Sequence, residues 1–165
     1  MPDSVSNPVH QRLSAYAERA HAYNRDTGAF RSYRQAVVDA LPVGAGDVVL
    51  DVGCGTGLCC GMLREKVGDE GNVVGIEESP EMLAVARQQA RRSEWSNVSL
   101  VRAAAEDARI TEPADAALFC AVHDILQSRD ALANIVASLR PGAWVAAGGA
   151  KWAPRMMLPR AFSAS

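Results

Sequence analysis

The chain lacks any apolar run near the ~18 residues a membrane span requires. Its first stretch, MPDSVSNPVHQRL, is polar and carries no apolar core of a signal peptide. Cysteine is sparse. Cys54, Cys59, Cys60 and Cys120 are the only four in 165 residues, and no two are spaced as Cys-x-x-Cys. A zinc site needs better spacing and histidine partners, so the expectation is no metal and reduced thiols in a cytoplasmic protein. A basic excess is missing too. With 17 Lys and Arg against 19 Asp and Glu, scattered along the chain, the net charge is -2. That removes the electrostatic case for a nucleic-acid partner. Internal repeats and low-complexity linkers are also absent. What remains is 48% hydrophobic and 22% charged residues, enough for one globular domain with a real core.

Along the chain the apolar pattern changes period. Residues 8–22 and 28–41 read as helices, the second with Phe30, Tyr33, Val37, Val38 and Leu41 on one face. Short β-branched runs at 47–52, 72–77, 97–102, 114–122 and 143–151 read as strands. Between them, 57–68, 80–92 and 129–139 read as helices. Ser79 is placed as an N-cap, Pro80 at the first helical position and Glu81 in the first turn. Pro141-Gly142 is expected to stop the last helix. Strand and helix thus alternate from 47 to 151, which predicts βαβ units, a mainly parallel sheet and a ligand site beyond its carboxyl edge. The expected organisation is an N-terminal helical lid over 1–41, an α/β domain over 42–151 and an irregular tail over 152–165.

The chemistry concentrates in VLDVGCGTGL, residues 49–58. Glycines at 53, 55 and 57 let backbone approach a ligand closely, because no Cβ intrudes. The spacing is not Gly-x-Gly-x-x-Gly: from Gly53 the third glycine position is Leu58, and from Gly55 it is Cys60. No Gly-Lys-Ser/Thr follows either, which excludes a P-loop. Asp51 ends the first strand against this turn. A phosphate ~5 Å from a carboxylate at an effective dielectric of ~20 is repelled by about 3 kcal/mol, and a cation gains by a similar amount. Glu77, at the end of the second strand, is placed to accept bonds from ribose hydroxyls. A cationic adenosyl ligand without phosphate, S-adenosyl-L-methionine, meets these demands. They disfavour a nicotinamide-dependent oxidoreductase.

On these residues the chain resembles the class I S-adenosylmethionine-dependent methyltransferases. VLDVGCGTG is similar to that family's first motif, VVGIEESPEMLAVAR to its second, and LVRAAAEDARI to its third. DAALFCAVHDIL and LRPGAWVAAGG are similar to its fourth and fifth. The similarity is nearest to the small-molecule group that includes quinone-biosynthesis, phospholipid and arsenite methyltransferases. The resemblance implies a three-layer Rossmann-like fold and a methyl donor held by Asp51, Gly53, Cys54, Gly55, Gly57 and Glu77. It implies an adenine site near Ala105 and Glu106, with Glu78 beside it. Cys120 would line the site, and Tyr23 would face it from the lid, together with Thr27, Phe30 and Arg34. The chain departs from the family in three respects. Glu78 stands where an apolar side chain that packs on adenine is usual. Ala103-Ala104-Ala105 stands where Gly-Asp-Ala is common, so an aspartate contact to adenine is missing. The family's sixth and seventh strands are not readable in residues 152–165, which predicts a truncated chain with an unpaired fifth strand and a possible homodimer. His123, just after the fourth strand, is the candidate general base if the acceptor has a proton to lose. The implied activity is methyl transfer to a small molecule; an inactive S-adenosylmethionine-binding module is the alternative.

Overall fold

The apolar run after Gly46 forms strand β1, Val48–Val52, buried at every position, in a computed structural model that describes residues 30–149. Its side chains alternate between two cores, as the period of a strand requires. Val49 packs with Val38, Leu63, Val67 and Leu83 on one face, while Val48, Leu50 and Val52 pack with Phe119, Ala131 and Ile135 on the other. A strand buried on both faces has no polar side, which is why this run reads as continuous rather than alternating.

Four further strands join it: β2 (Asn72–Glu77), β3 (Val98–Arg102), β4 (Ala114–Cys120) and β5 (Leu139–Gly148). Their order is β3-β2-β1-β4-β5 and every pairing is parallel. The helices are α1 (Arg31–Asp39), α2 (Leu58–Val67), α3 (Pro80–Arg92) and α4 (Arg129–Ala137). Buried residues of α1, α2 and α3 lie on one side of the sheet and those of α4 on the other. This is the three-layer parallel α/β architecture expected from the alternation. The cap expected at Ser79 forms, and a second, which the sequence reading did not name, forms at Ser128. The Ser79 side chain accepts from the Met82 amide at 3.2 Å with Pro80 at the start of α3, and Ser128 accepts from Ala131 at 3.2 Å.

The structure differs from the sequence expectation at two ends. α4 stops at Ala137, and β5 starts at Leu139 instead of 143. Leu139 pairs with Ala114, but the next pair is Trp144 with Ala116, so the extra residues form a bulge. Pro141, which has no amide hydrogen, and Gly142, with φ +82°, occupy that bulge instead of closing the helix. β4 ends at Cys120 and not at 122, because Ala121 turns left-handed with φ +59° and its amide donates to Gly148 O at 2.7 Å.

Among the described residues β5 has no partner on its outer edge, and Trp144 and Val145 on its two faces are exposed. No described helix is long and apolar enough to cross a membrane. The expected helix at 8–22, Tyr23, Thr27 and the tail from Lys151 lie outside the described residues.

Candidate functional site

The first strand's alternation places Asp51 on the same face as Val49, towards α2. There its carboxylate is 2% exposed and accepts a hydrogen bond from the Cys60 thiol at 3.2 Å. Burial pushes its pKa up from 3.8 to about 7; Glu77 pushes the same way, and the Cys60 bond pulls back. Gly75 is the neighbour of Asp51 on β2. A Cβ there would come within 3.0 and 3.1 Å of the Cys54 and Cys60 sulfurs, so the glycine makes room for two thiols beside the acid.

The turn from β1 to α2 needs its glycines for two separate reasons. All three have positive φ: +71° at Gly53, +56° at Gly55 and +86° at Gly57. At Gly53 a Cβ would also lie 2.5 Å from Val122 and 2.9 Å from Ile125. The Gly53 and Cys54 amides both donate to Ile76 O at 2.9 Å, which ties the turn to β2. Glu77 completes the clamp. One carboxylate oxygen accepts from the Gly55 amide at 2.9 Å and the other from the Ser79 amide at 2.8 Å. Each oxygen keeps a lone pair for a further donor.

Two cavities open at this edge of the sheet and share Gly53, Glu77 and Val122. The larger, about 350 Å³, is walled by Asp51, Cys54, Gly55, Cys59, Cys120, Phe30 at the N-cap of α1, and Tyr33 and Arg34 within α1. The smaller, about 270 Å³, is walled by Ile76, Glu78, Ala103, Ala104, Ala105, Glu106 and Ile125. Asn134 of α4 fixes the loop after β3 by donating to Ala105 O at 2.8 Å and Ala108 O at 2.9 Å.

The expected site residues divide as follows. Asp51, Gly53, Cys54, Gly55, Glu77 and Cys120 line the larger cavity. Glu78, Ala105 and Glu106 line the smaller one, Glu78 and Glu106 with exposed side chains. Gly57 lines neither; it is the N-cap of α2, and a Cβ there would come within 3.2 Å of Ala86. His123 also lines neither. It is exposed, with Nε2 2.7 Å from the Gln127 side-chain nitrogen. Sequence reasoning missed Met82, Val122 and Ile125 on the walls and the anchoring Asn134. Of these only Val122 and Ile125 had a usable signal, their position just beyond the carboxyl end of a strand.

The two cavities fit the two ends of an adenosyl sulfonium ligand. A buried acid faces the larger space, the Glu77 carboxylate borders both, and the smaller sets Ala103, Ala104 and Ala105 beside the carboxylates of Glu78, Glu106 and Asp124. Comparison with known proteins agrees with the fold. A family model described as "Methyltransferase domain" matches residues 49–142. An uncharacterised 37.1 kDa protein in transposon TN4556 of Streptomyces fradiae is 35% identical over 76% of this chain and 36% of that protein. Demethylmenaquinone methyltransferase of Shouchella clausii is 41% identical over 43% of this chain and 30% of that protein. The chain thus spans about a third of the length of these two relatives. A SAM-dependent methyltransferase from Aquifex aeolicus superposes with a TM-score of 0.72 at 21% identity, over 87% of this chain and 77% of that one, a likeness of fold. The chain belongs to the methyltransferase-domain family, within the class I S-adenosylmethionine-dependent superfamily.

Proposed function

We propose that the chain binds S-adenosyl-L-methionine and directs its methyl group to a small-molecule acceptor. The observation that carries this reading is the buried Asp51 carboxylate on the wall of the larger cavity, beside a glycine turn that bears no cationic side chain. Such a wall suits a positively charged ligand and opposes a phosphate. In the proposal Asp51 and the amides of the turn hold the methionine end, and Glu77 accepts from the ribose hydroxyls. Ala105 and Glu106, with Glu78 beside them, border the adenine. When bound, the cofactor supplies an electrophilic methyl on a sulfonium. The chain's own residues orient the acceptor against it and keep water out, since an in-line transfer depends on alignment. Phe30 at the N-cap of α1, with Tyr33 and Arg34 of that helix, lines the part of the larger cavity proposed for the acceptor. One relative is named for a small acceptor, demethylmenaquinone, which supports that class. His123 is the proposed base for acceptors that lose a proton; His123→Ala would then slow those acceptors and leave others unchanged.

Thermal stability with S-adenosylmethionine, its demethylated product and NAD tests the binding. A ligand at ~100 times its dissociation constant stabilises the fold by ~2.7 kcal/mol. The two adenosyl ligands should do so and NAD should not; stabilisation by NAD alone overturns the reading. Transfer of labelled methyl to a panel of quinones, phenols and other small acceptors separates an enzyme from a module that only binds.

A further inference from the structure

Two aromatic side chains line the larger cavity about one helical turn apart, Phe30 at the N-cap of α1 and Tyr33 within that helix. Phe30 is exposed and Tyr33 is half-buried. The Tyr33 hydroxyl has a defined seat at the end of β5. A Cβ on Gly148 would lie 2.6 Å from the Tyr33 Oη and 2.5 Å from the Val37 Cγ2, so the absence of a side chain there makes room for the tyrosine. Gly148 pairs with Cys120 of β4, which also lines the cavity. Paired residues of neighbouring strands project to the same face, which puts the hydroxyl on the Cys120 side of the sheet. The Gly148 carbonyl accepts from the amide of Ala121, a further cavity residue, at 2.7 Å. α1 is held in this position at its other end: Lys66 of α2 donates to Val38 O at 3.1 Å and to Leu41 O at 2.5 Å. The strand order puts β4 between β1 and β5. At about 4.8 Å per strand, the hydroxyl over β5 lies about 10 Å across the sheet from the strand that carries Asp51, which leaves room for one small molecule.

We propose that the Tyr33 hydroxyl, seated on Gly148, binds the oxygen of a hydroxylated aromatic acceptor whose ring lies against Phe30. An exposed ring on a cavity wall favours offset or edge contact with a second ring. A tyrosine hydroxyl offers one donor and two lone pairs, and among the described residues this one makes no hydrogen bond. Burial, and after it Cys120, raises the Tyr33 pKa above its ordinary value, so the hydroxyl keeps its proton at neutral pH and can donate as well as accept. A bond from a fixed hydroxyl to the acceptor oxygen, with Phe30 against the ring, restricts the acceptor to one orientation. Methyl transfer depends on that alignment. Tyr33 is therefore the specificity-determining residue of the acceptor end. That the bound ring is a methyl acceptor rests on the S-adenosylmethionine reading; that Tyr33 binds a hydroxylated ring does not.

Binding of 2-naphthol and of naphthalene to the full chain, saturated with S-adenosylhomocysteine, is measured by equilibrium dialysis. The two probes share a ring system and differ by one hydroxyl. The unsubstituted chain should bind naphthol more tightly than naphthalene. Tyr33→Phe keeps the ring and removes the hydroxyl; it should weaken naphthol by about three- to tenfold and leave naphthalene and S-adenosylhomocysteine unchanged. Gly148→Ala unseats the hydroxyl without removing it and should lower the preference for naphthol in the same direction. Phe30→Ala should weaken both probes by a similar factor. Equal losses of both probes in Tyr33→Phe indicate packing alone and overturn the proposal, as does unchanged naphthol affinity. If Tyr33→Phe does not fold, the unsubstituted chain decides: naphthalene bound as tightly as naphthol, or neither probe bound, overturns it. A chain that binds no S-adenosylhomocysteine overturns the S-adenosylmethionine reading. The same probes are then compared without that ligand, and their order judges Tyr33 by itself.

Discussion

The two cavities at the carboxyl edge of the sheet are built from opposite materials. The larger one is a matter of side chains: a buried acid, three thiols and an arginine around a glycine turn. The smaller one sets Ala103, Ala104, Ala105, Ile76 and Ile125 against carboxylates that reach solvent, Glu78, Glu106 and Asp124 exposed and the shared Glu77 half-buried. The difference teaches where affinity resides. Buried groups in low dielectric act strongly, and a single one can decide the sign of the ligand's charge. Exposed charges, screened by solvent, contribute little.

That contrast can be broken at the point the cavities share. Gly53→Ala sets a Cβ at a φ of +71°, 2.5 Å from Val122. It should destabilise the fold by about 2–4 kcal/mol and abolish binding at both ends, read by denaturant unfolding and calorimetry. Asp51→Asn should hit only the larger cavity, weakening S-adenosylmethionine by about 100-fold, or about 3 kcal/mol, through lost charge. The neutral adenosine fragment should bind as before.

Acidity gives a smaller and more diagnostic effect. With the Asp51 pKa raised to about 7 by burial, the ligand-free fold retains a proton that the unfolded chain has lost. This contribution to stability is complete below the ordinary carboxylate pKa and falls away as pH rises to about 7. A cationic ligand needs the carboxylate, so its affinity should rise about tenfold from pH 6 to pH 8 with release of a proton. Asp51→Asn should flatten both profiles. Asn134→Ala removes two bonds from the loop after β3 and should cost about 1–2 kcal/mol of stability, with a loss confined to the adenosine part of the ligand. Smallest of all, Glu106→Ala should change affinity by less than about threefold, since its side chain is exposed. A large loss there would make the smaller cavity as charge-dependent as the larger.

The legibility of the molecule follows the same division. β2 and α3 run over 72–77 and 80–92, as the glycine boundaries and the Ser79-Pro80 start require. Local chemistry sets those ends, so local sequence reveals them. The bulge at Pro141-Gly142 was not legible, because whether such a pair stops a helix or bends an edge strand depends on the strand beside it. The acid and the glycines of the larger cavity were readable as residue types. Met82 and Asn134 were not, for their types are ordinary and only packing brings one to the wall and the other to the loop after β3.

By itself the sequence determined the alternation of strand and helix, the turn after β1 and the sign of the charge beside it. These are properties of neighbours in the chain. Tertiary structure alone decided that Asp51 is buried deeply enough to hold a proton near neutrality, and that Glu77 clamps Gly55 and Ser79 at once. It alone set Cys59 and Cys120, 61 positions apart in the chain, on the walls of one cavity. Burial and contact between distant residues belong to the parallel sheet, which gathers the ends of β1, β2 and β4 at one edge.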